Sequence, residues 1–416
     1  MTRALALGFV LALILGGAPI FGAGEGEQRA PFSERYRDMS WDEIVEEARG
    51  QELYWYMWGG SDSINNFVQG YVAEQLRKRY DISLEMVPVN DASVFVNKVL
   101  GEKQAGRTEN GSVDAVWVNG ENFRTMREAD LLFGPFASKL PNIEYVDRDD
   151  PTIANDFGYP VEGYEAPYGS AQFVMFYDSA KVSEPPRTVE ALLQWIREHP
   201  GKFTYPAAPD FTGSAFLRHI FYHVAGGYEQ LLGAFDQSQF DEIAPEYYEL
   251  MNDIEPYLWR EGQTYPESHT ELQRLFANGA VFFDMAYNPA EAANLVSQGR
   301  YPESVRSFVF EEGTIGNTHY VAIPFNSPHK AAAMVLANFL LSPEAQHRKM
   351  KPEVWGDLTV LELSRLPERW QEKFGALPRP ASVLPPETLA EHRIPELQSS
   401  WLEAIEEGWR RNVLEQ

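Results

Sequence analysis

The stretch at residues 52–76, ELYWYMWGGSDSINNFVQGYVAEQL, decides the predicted fold of this chain. Its first residues are mostly aromatic and aliphatic, which predicts a β-strand, and Gly59 and Gly60 predict a turn directly after it. From Ile64 onward the apolar residues recur at the three- and four-residue spacing of one helix face. A strand, a turn and a helix in this order form the first unit of an α/β fold.

The same order of elements continues along the chain. Residues 82–89 and 115–118 predict two further strands, separated by a helix that Asp91 can cap. Alternation of this kind predicts a mostly parallel sheet flanked by helices, with ligands bound beyond the carboxyl ends of the strands. Further strands are predicted at residues 172–177, 202–205, 280–285, 307–310 and 319–323.

Length and composition limit the class of protein. The chain has 416 residues, no Cys, and 61 Asp and Glu against 35 Lys and Arg, which gives a formal net charge of −26. A chain of this length exceeds what one hydrophobic core usually organises, so two lobes are expected. The lack of Cys excludes disulfides and cysteine nucleophiles, and the surplus of acids argues against a nucleic-acid partner. Most of this surplus is expected on solvated helix surfaces such as residues 42–47 and 403–407.

The first residues of the chain have the pattern of a targeting signal. Residues 1–24 combine Arg3, an apolar run and three small residues, as in a secretory signal peptide. The run is too short for a transmembrane helix and is interrupted by glycine and proline. No Cys follows it, which excludes lipid attachment. We therefore expect a periplasmic protein that is exported, cleaved and soluble and is not a lipoprotein, with an extension and a helix at residues 25–50.

Candidate ligand-binding residues follow the predicted strands. The loops after the first and third strands are polar and contain glycine, and they should converge at one crevice. A second group surrounds a predicted helix start and the end of a late strand. The candidates are Trp58, Gly59, Gly60, Ser61, Asp62, Asn119, Gly120, Glu121, Asn122, Gln172, Thr212, Gly213, Ser214, Asp284, Tyr287 and Asn288.

These loops also have a purely structural interpretation. The glycines can supply turn geometry, while Ser61, Asp62 or Asn119 cap helices. The Thr-Gly-Ser sequence at residues 212–214 suits an anionic group, because hydroxyl and backbone N–H groups meet at a helix start, but the same residues can form an ordinary N-cap. Both interpretations stay open for each loop.

Two ligand chemistries are compatible with these residues. A cation or amine would lie over the rings of Trp58 and Tyr287, with acidic neighbours such as Glu121. An anion would use the helix start at residues 212–214, helped by a basic residue such as Arg218. A cationic or hydroxyl-rich organic ligand is slightly favoured.

The sequence contains no convincing catalytic constellation. Ser214 lacks the second glycine of a nucleophile elbow. His219 and His223 have the spacing of a zinc pair, but Ile220 stands where a metalloprotease has its glutamate, so both are expected to be surface histidines. We expect a protein that is not an enzyme and that has neither a cofactor nor a metal site.

The rival hypothesis is a secreted hydrolase. A glycosidase-like pair of carboxylates could be drawn from Glu121, Glu162, Glu165 and Asp284. Since the chain has 61 acidic residues, chance proximity is the simpler explanation for any such pair. Binding is therefore preferred to catalysis.

The chain resembles a known family over nearly its whole length beyond the signal peptide. The resemblance is carried by YWYMWGGSDSINNFV at residues 54–68, DAVWVNGENFRTM at 114–126, YPAAPDFTGSAFLRH at 205–219 and IPFNSPHKAAAMVLANFLLSPEAQ at 323–346. These stretches resemble the extracellular solute-binding proteins of ABC importers and, within them, the YnjB-like group.

The resemblance implies an α/β fold of the two-lobed type II periplasmic binding protein class, each lobe a mostly parallel sheet flanked by helices. The chain would cross the hinge more than once. We expect lobe 1 to comprise residues 51–170, about 289–320 and the C-terminal helix, and lobe 2 to comprise residues 171–288 and about 321–390.

The resemblance also implies a function. A monomer would capture a small polar organic solute in the cleft between the lobes and deliver it to an ABC transporter permease in the inner membrane. A carboxylate, a phosphate or a ferric ion remains an alternative ligand. Relatives that bind ferric iron need a tyrosine pair, and the MAYN sequence at residues 285–288 supplies Tyr287 alone.

Overall fold

The structure is a computed structural model that describes residues 34–415. The predicted signal peptide and the first part of the predicted extension lie outside the described residues. The strands are β1 (Glu52–Trp58), β2 (Ser83–Val89), β3 (Ala115–Trp117), β4 (Asn155–Asp156), β5 (Tyr159–Pro160), β6 (Glu165–Gln172), β7 (Val174–Asp178), β8 (Phe283–Ala286), β9 (Val305–Phe308), β10 (Thr314–Ala322) and β11 (Arg393–Ile394).

Helices surround these strands. They are α1 (Glu34–Asp38), α2 (Trp41–Ala48), α3 (Asp62–Asn66), α4 (Ala73–Tyr80), α5 (Ser93–Gln104), α6 (Gly120–Glu128), α7 (Pro151–Ala154), α8 (Val189–Glu198), α9 (Phe211–Val224), α10 (Gln237–Ile254), α11 (His269–Ala277), α12 (Glu291–Ser297), α13 (Lys330–Leu340), α14 (Pro343–Lys349), α15 (Glu368–Gly375), α16 (Pro386–Glu391) and α17 (Ser399–Trp409). Within residues 34–415, no helix is both long enough and apolar enough to cross a membrane.

The larger sheet confirms the prediction made from residues 52–76. Its strand order is β11-β10-β3-β1-β2, with β6 also paired to β10, and β1 runs parallel to both β2 and β3. Alternate residues of β1, namely Leu53, Trp55 and Met57, are buried in a core that includes α13. On the other side, Val116 of β3 packs with residues of α5 and α6. The sheet is therefore covered by helices on both faces, as alternating strands and helices require.

The smaller sheet differs from the prediction in strand direction. Its order is β8-β7-β9, and β7 is antiparallel to both neighbours. The chain connectivity explains this arrangement. The chain runs away from the end of β6 along β7, and it runs in the opposite direction along β8 and β9. Residues 202–205, predicted as a strand, form no strand, but they pack beside this sheet: Phe282 N donates to Lys202 O at 2.9 Å, and the rings of Phe203 and Phe283 lie 6.0 Å apart.

The two sheets are joined by strands that run almost without a break from one to the other. Only Phe173 separates β6 from β7, and its N–H donates to the carbonyl of Ile315 at 2.8 Å. The chain returns between β9 and β10, so it crosses this junction more than once, as predicted. His219 accepts a hydrogen bond at Nε2 from Ile315 N, at 3.1 Å.

The prediction that His219 is a surface histidine is wrong. The residue is 2% exposed, and burial lowers the pKa of its ring to about 3. Its neutral ring accepts from β10, which is why this histidine lies inside the fold. His223, one turn later, is half-buried.

The core places two segments differently from the predicted lobes. Residues of α13 pack with β1 around the larger sheet, although residues 321–390 were expected in lobe 2. The C-terminal helix α17, expected in lobe 1, buries Trp401 and Trp409 in the core around the smaller sheet, where it packs on α9. The strands that precede these helices explain their positions. The end of β10 lies in the larger sheet and is followed by α13, whereas β11 pairs with the first residues of β10 and is followed by α17.

Candidate functional site

A tight turn after β3 forms the first wall of the candidate site. Asn119 is held by three hydrogen bonds: its Oδ1 accepts from Trp117 Nε1 at 3.0 Å, and its Nδ2 donates to Thr318 O at 2.8 Å and to Asp156 Oδ1 at 3.2 Å. Gly120 follows with a φ of 61°, a conformation that other residues adopt only with strain. The turn thus fixes the start of α6 against β10 and β4.

Asp156 occupies the N-terminus of α6. Its Oδ2 accepts from Gly120 N at 2.7 Å, and the residue is 2% exposed. Burial raises the pKa of this carboxyl to about 8, and the hydrogen bonds from Asn119 and Gly120 offset only part of that effect. The chain therefore supplies its own acceptor where a bound anion would otherwise lie.

Aromatic rings connect the first wall to the second. Phe157 lies against the Gly120 turn, where an added Cβ would meet its ring at 3.4 Å. Its ring centroid lies 6.3 Å from that of Phe211 at the start of α9, and Phe211 lies 4.6 Å from Tyr287. Phe211 remains 47% exposed, which is unusual for a phenylalanine in a ring cluster. An apolar strip therefore runs across the interface between the two sheets.

A buried charge pair supports the second wall. Arg218 of α9 is fully buried and forms an ion pair with Glu396. Its Nη2 also donates to Tyr287 OH at 3.1 Å, and this hydroxyl donates to Glu396 Oε1 at 3.0 Å. Arg218, Tyr287 and Glu396 therefore satisfy one another's hydrogen-bonding groups. The Arg218 guanidinium, which the sequence suggested as a partner for an anion, is already paired within the protein.

The N-terminus of α9 is likewise occupied. Oδ1 of Asp210 accepts from Thr212 N and Gly213 N, both at 3.0 Å, and its Oδ2 accepts from His269 N at 2.9 Å. An added Cβ on Gly213 would lie 2.0 Å from Pro206 O, so the glycine allows close packing. The structure therefore favours the ordinary N-cap over an anion site at residues 212–214.

Carboxyl groups gather beside the aromatic strip. Glu121, whose Oε1 accepts from Asn122 Nδ2 at 2.7 Å, is half-buried. Burial raises its pKa, and the charges of Glu406 and Glu403 on α17 and of Asp91 raise it further. Burial also raises the pKa of Glu406, partly offset by the hydroxyl of Ser214.

The expectation that residues 403–407 all lie on a solvated surface is wrong for Glu406. Glu406 is half-buried and faces α6, because α17 turns its apolar residues to α9 and places the flanking glutamate at the interface. Glu407 does behave as expected: it forms ion pairs with Arg410 and Arg411.

The loop after β1 lies beside β2, since Trp58 pairs with Val89. The ring of Trp58 is 48% exposed and covers the backbone of Gly60, where an added Cβ would lie 2.2 Å from the ring. Gly59 O accepts from the side chain of Asn65 at 2.9 Å. Ser61 Oγ lies 3.2 Å from Ser63 Oγ, and Asp62 is exposed as the first residue of α3.

Three other candidates make hydrogen bonds within the fold. Gln172 Nε2 donates to Thr314 Oγ1 at 3.0 Å beside the junction of the sheets. Asn288 Nδ2 donates to Trp355 O at 3.1 Å. Asp284 is fully buried and accepts from Tyr301 OH at 2.6 Å, and burial raises its pKa to about 6. Gln172 and Asp284 thus stabilise the junction and the part built on the smaller sheet, whereas Asn288 bonds to the backbone of Trp355, a residue buried in the core around the larger sheet.

Sequence reasoning missed Asp156, Phe157 and Glu396, and it misplaced Glu406. Neither Asp156 nor Phe157 belongs to a long periodic element, so no spacing pattern marks them. Glu406 could have been found, because Trp401, Ile405 and Trp409 define the buried face of α17 and Glu406 flanks it. Among residues 34–415, no group of three or more His, Asp or Glu is arranged to hold a metal ion.

Comparison with known proteins agrees with this architecture. The family described as "Bacterial extracellular solute-binding protein" matches residues 71–376. "Protein YnjB" of Escherichia coli strain K12 is 39% identical over 378 residues, which is 91% of this chain and 95% of that protein.

Two solved structures show the same fold. The spermidine/putrescine ABC transporter substrate-binding protein PotD of Streptococcus pneumoniae has a TM-score of 0.61 at 16% identity, covering 87% of this chain and 98% of that chain. The apo ferric ion-binding protein A of Pasteurella haemolytica has a TM-score of 0.58 at 14% identity, covering 88% of this chain and 98% of that chain. The type II periplasmic binding protein fold predicted from the sequence is thereby confirmed. Because the family match and the 39% identity both span most of the chain, this protein belongs to the bacterial extracellular solute-binding proteins and is the solute-binding component of an ABC transporter.

Proposed function

We propose that this protein captures a small polar organic solute between the Asn119–Gly120 turn of the larger sheet and the start of α9 in the part built on the smaller sheet. The observation that supports the proposal is the half-exposed ring of Phe211 between Phe157 and Tyr287. Exposed aromatic faces flanked by polar groups are typical of sites that bind organic solutes.

Closure would occur by rotation about the junction of the sheets. The connections through Phe173 and between β9 and β10 are short, and the hydrogen bond from Phe173 N to Ile315 O joins them side by side. Rotation there would move Phe211 and Tyr287 against Phe157 without breaking either core. The closed form would then be the one recognised by the permease in the inner membrane.

The remaining parts of the proposal follow from the sequence. The protein would act as a monomer in the periplasm after export and cleavage, without lipid, cofactor or metal. It would bind its solute without converting it.

The site is tested with a pair of matched variants. Phe211 and Leu232 are exposed to 47% and 48%, so replacing either with alanine removes little buried surface. Thermal unfolding is first measured against a library of polar metabolites to find a stabilising solute. Phe211→Ala should then abolish or strongly reduce the shift in Tm, whereas Leu232→Ala should retain it. Equal shifts in both variants would reject this location.

The hydrolase hypothesis is tested with the same solute. The solute is incubated with the protein and its products are followed by mass spectrometry, together with Glu121→Gln, Glu165→Gln and Asp284→Asn. We expect unchanged solute with every protein. Turnover that one of these substitutions removes would establish the hydrolase instead.

A further inference from the structure

A short segment between α14 and α15, residues 355–358, connects the two parts of the protein. The ring of Trp355 is 2% exposed and belongs to the core around the larger sheet. The backbone carbonyl of the same residue accepts hydrogen bonds from Asn288 Nδ2 at 3.1 Å and from Asn294 Nδ2 at 2.9 Å. The ring and the carbonyl of Trp355 therefore contact different parts of the protein.

The segment is anchored to the part built on the larger sheet. Asp357 is 1% exposed and forms an ion pair with Lys349 at the end of α14, and its Oδ1 lies 3.1 Å from His319 Nε2 on β10. The backbone N and O of Leu358 bond to the O and N of Ser170 on β6, both at 3.1 Å. Any movement of the larger sheet therefore carries this segment with it.

The two asparagines are anchored to the other part. Asn288 precedes α12 and Asn294 lies within it, and Ala292 and Leu295 of this helix are buried in the core around the smaller sheet. Asn294 is 7% exposed, and Asn288 Oδ1 accepts a hydrogen bond from Ala290 N at 3.0 Å. Both side-chain amides are therefore fixed relative to the smaller sheet.

Gly356 allows the two parts to come this close. Its φ is 81°, and an added Cβ would lie 2.3 Å from the Cβ of Ala290. A side chain at this position would separate the segment from α12. Glycine thus serves both the backbone turn and the contact between the parts.

The segment lies beside the junction of the two sheets. Ser170, which pairs with Leu358, is three residues before Phe173, where the chain passes from one sheet to the other. Rotation about the junction changes the position of α12 relative to residues 355–358, because each is fixed to a different sheet. Hydrogen bonds weaken steeply when their distance or angle changes. The parts can therefore separate only if both amides release the Trp355 carbonyl.

We infer that the Trp355 carbonyl and the side chains of Asn288 and Asn294 form a clasp that holds the two parts together when no solute is bound. The free protein would then favour the closed arrangement, and opening would require release of the clasp. This inference uses the rotation proposed above, but it does not depend on where the solute binds. Each asparagine contributes one neutral hydrogen bond, so its loss should raise the ratio of open to closed protein about fivefold.

The test measures the distance between the two parts in the free protein. Because the chain contains no Cys, spin labels attach only to Asn97→Cys on α5 and Thr270→Cys on α11, both at exposed positions. Pulsed electron resonance then gives the distribution of distances between the labels. The labelled protein should show a main distance that matches the structure. Asn288→Asp and Asn294→Ala should each increase the share of longer distances relative to it about fivefold.

The choice of variants separates release of the clasp from loss of folding. Asn288→Asp keeps an oxygen for Ala290 N and removes only the donor to the clasp carbonyl. Asn142→Ala is the matched control, because Asn142 Nδ2 donates to Asn338 O at 2.8 Å inside the part built on the larger sheet. This control should lower the Tm as the clasp variants do, but it should leave the distance distribution unchanged.

The remaining outcomes also decide. A distribution that neither clasp variant changes would overturn the inference, and so would an equal change in Asn142→Ala. A main distance longer than that of the structure, in the labelled protein without further substitution, would overturn it as well. Failure of both clasp variants to fold would show that the contact is needed for folding itself and would reject the clasp. None of these results decides the solute site, which Phe211→Ala tests separately.

Discussion

The N-termini of α6 and α9 both border the proposed site through Phe157 and Phe211, and each is capped by an aspartate in a different way. Asp210 precedes α9 directly and accepts from Thr212 N and Gly213 N. Asp156 reaches Gly120 N at the start of α6 from 36 residues further along the chain. The start of α9 resembles an anion site in sequence, and both helix starts are already occupied by carboxyl groups of the protein.

The difference between the two caps lies in the environment of the carboxyl group. The carboxylate of Asp210 also accepts a hydrogen bond from His269 N, so it joins the start of α11 to α9. Asp156 lies in a buried pocket with Asn119, where burial raises its pKa to about 8. A local cap can be recognised from sequence, whereas a distant one depends on how the sheet folds. The following predictions test whether the two caps contribute differently to stability.

The largest effect is expected at Gly213, in the first turn of α9. Gly213→Ala would place a Cβ 2.0 Å from Pro206 O, a backbone atom that cannot move by rotation of a side chain. Overpacking of this kind should lower the free energy of unfolding by about 3 kcal/mol. Chemical denaturation measures it.

Gly101→Ala is the matched control. Gly101 lies inside α5 with no atom within 4 Å of an added Cβ, so alanine should stabilise the protein by about 0.5–1 kcal/mol. If Gly213→Ala behaved like this control, the close approach of Pro206 to α9 would be refuted.

A smaller loss is expected for the local cap. Asp210→Ala removes the acceptor of two N–H groups of α9 and the contact to His269, and it should cost about 2 kcal/mol. Asp236→Ala removes an exposed cap of α10 that contacts Ser238 and Gln239 alone, at a cost of about 1 kcal/mol. Equal losses, measured by denaturation, would show that the contact to His269 contributes nothing.

Much of the fold could be predicted because local patterns determine it. The alternation in β1 and the helical spacing from Ile64 place strand and helix without knowledge of their neighbours. The direction of β8 and the position of α17 could not be predicted this way, since both depend on which strand the chain joins after a crossing. Periodicity describes a buried face but does not specify the surface that covers it.

Local patterns also determine which parts of the candidate site could be predicted. The Asn119–Gly120 turn and the start of α9 were found from glycine, amide and hydroxyl residues at strand ends, and the structure brings them to one interface through Phe157 and Phe211. The carboxyl of Asp156 was not found, because its role arises only when β4 packs against α6. Charge counts placed Glu406 on the surface, although the buried face formed by Trp401, Ile405 and Trp409 shows that this glutamate flanks a packed surface.

A further prediction concerns the backbone at the distant cap. Gly120 has a φ of 61°, and an added Cβ would meet Phe157 only at a normal contact distance of 3.4 Å. Gly120→Ala should therefore cost about 1 kcal/mol through backbone strain alone. Gly106→Ala, with a φ of 74° and open space around it, should cost the same in denaturation. A much larger loss at Gly120 would show that the contact with Phe157 dominates.

The last expected effect is small at pH 5 and changes sign as the pH rises. Asp156 has a folded pKa of about 8 against about 3.9 in the unfolded chain, so between these values the folded protein holds a proton that the unfolded chain has released. Its stabilising contribution is complete below pH 4 and is lost as the pH rises through 8. Asp156→Asn removes this dependence. The variant should be less stable than the wild type by about 1 kcal/mol at pH 5, because an amide replaces one hydrogen-bond acceptor, and equally or more stable at pH 9.

Asp178→Asn provides the control for this crossover. Burial alone would raise the pKa of Asp178, but the hydrogen bond from Ser304 and the ion pair with Lys181 outweigh it and lower the pKa. Its contribution is therefore present above about pH 4, and the cost of Asp178→Asn should be constant between pH 5 and pH 9. Free energies of unfolding at these two values decide the matter. A constant cost for Asp156→Asn as well would mean that Asp156 is an ionised cap like any surface aspartate, and the contrast between the two helix starts would reduce to their distance in sequence.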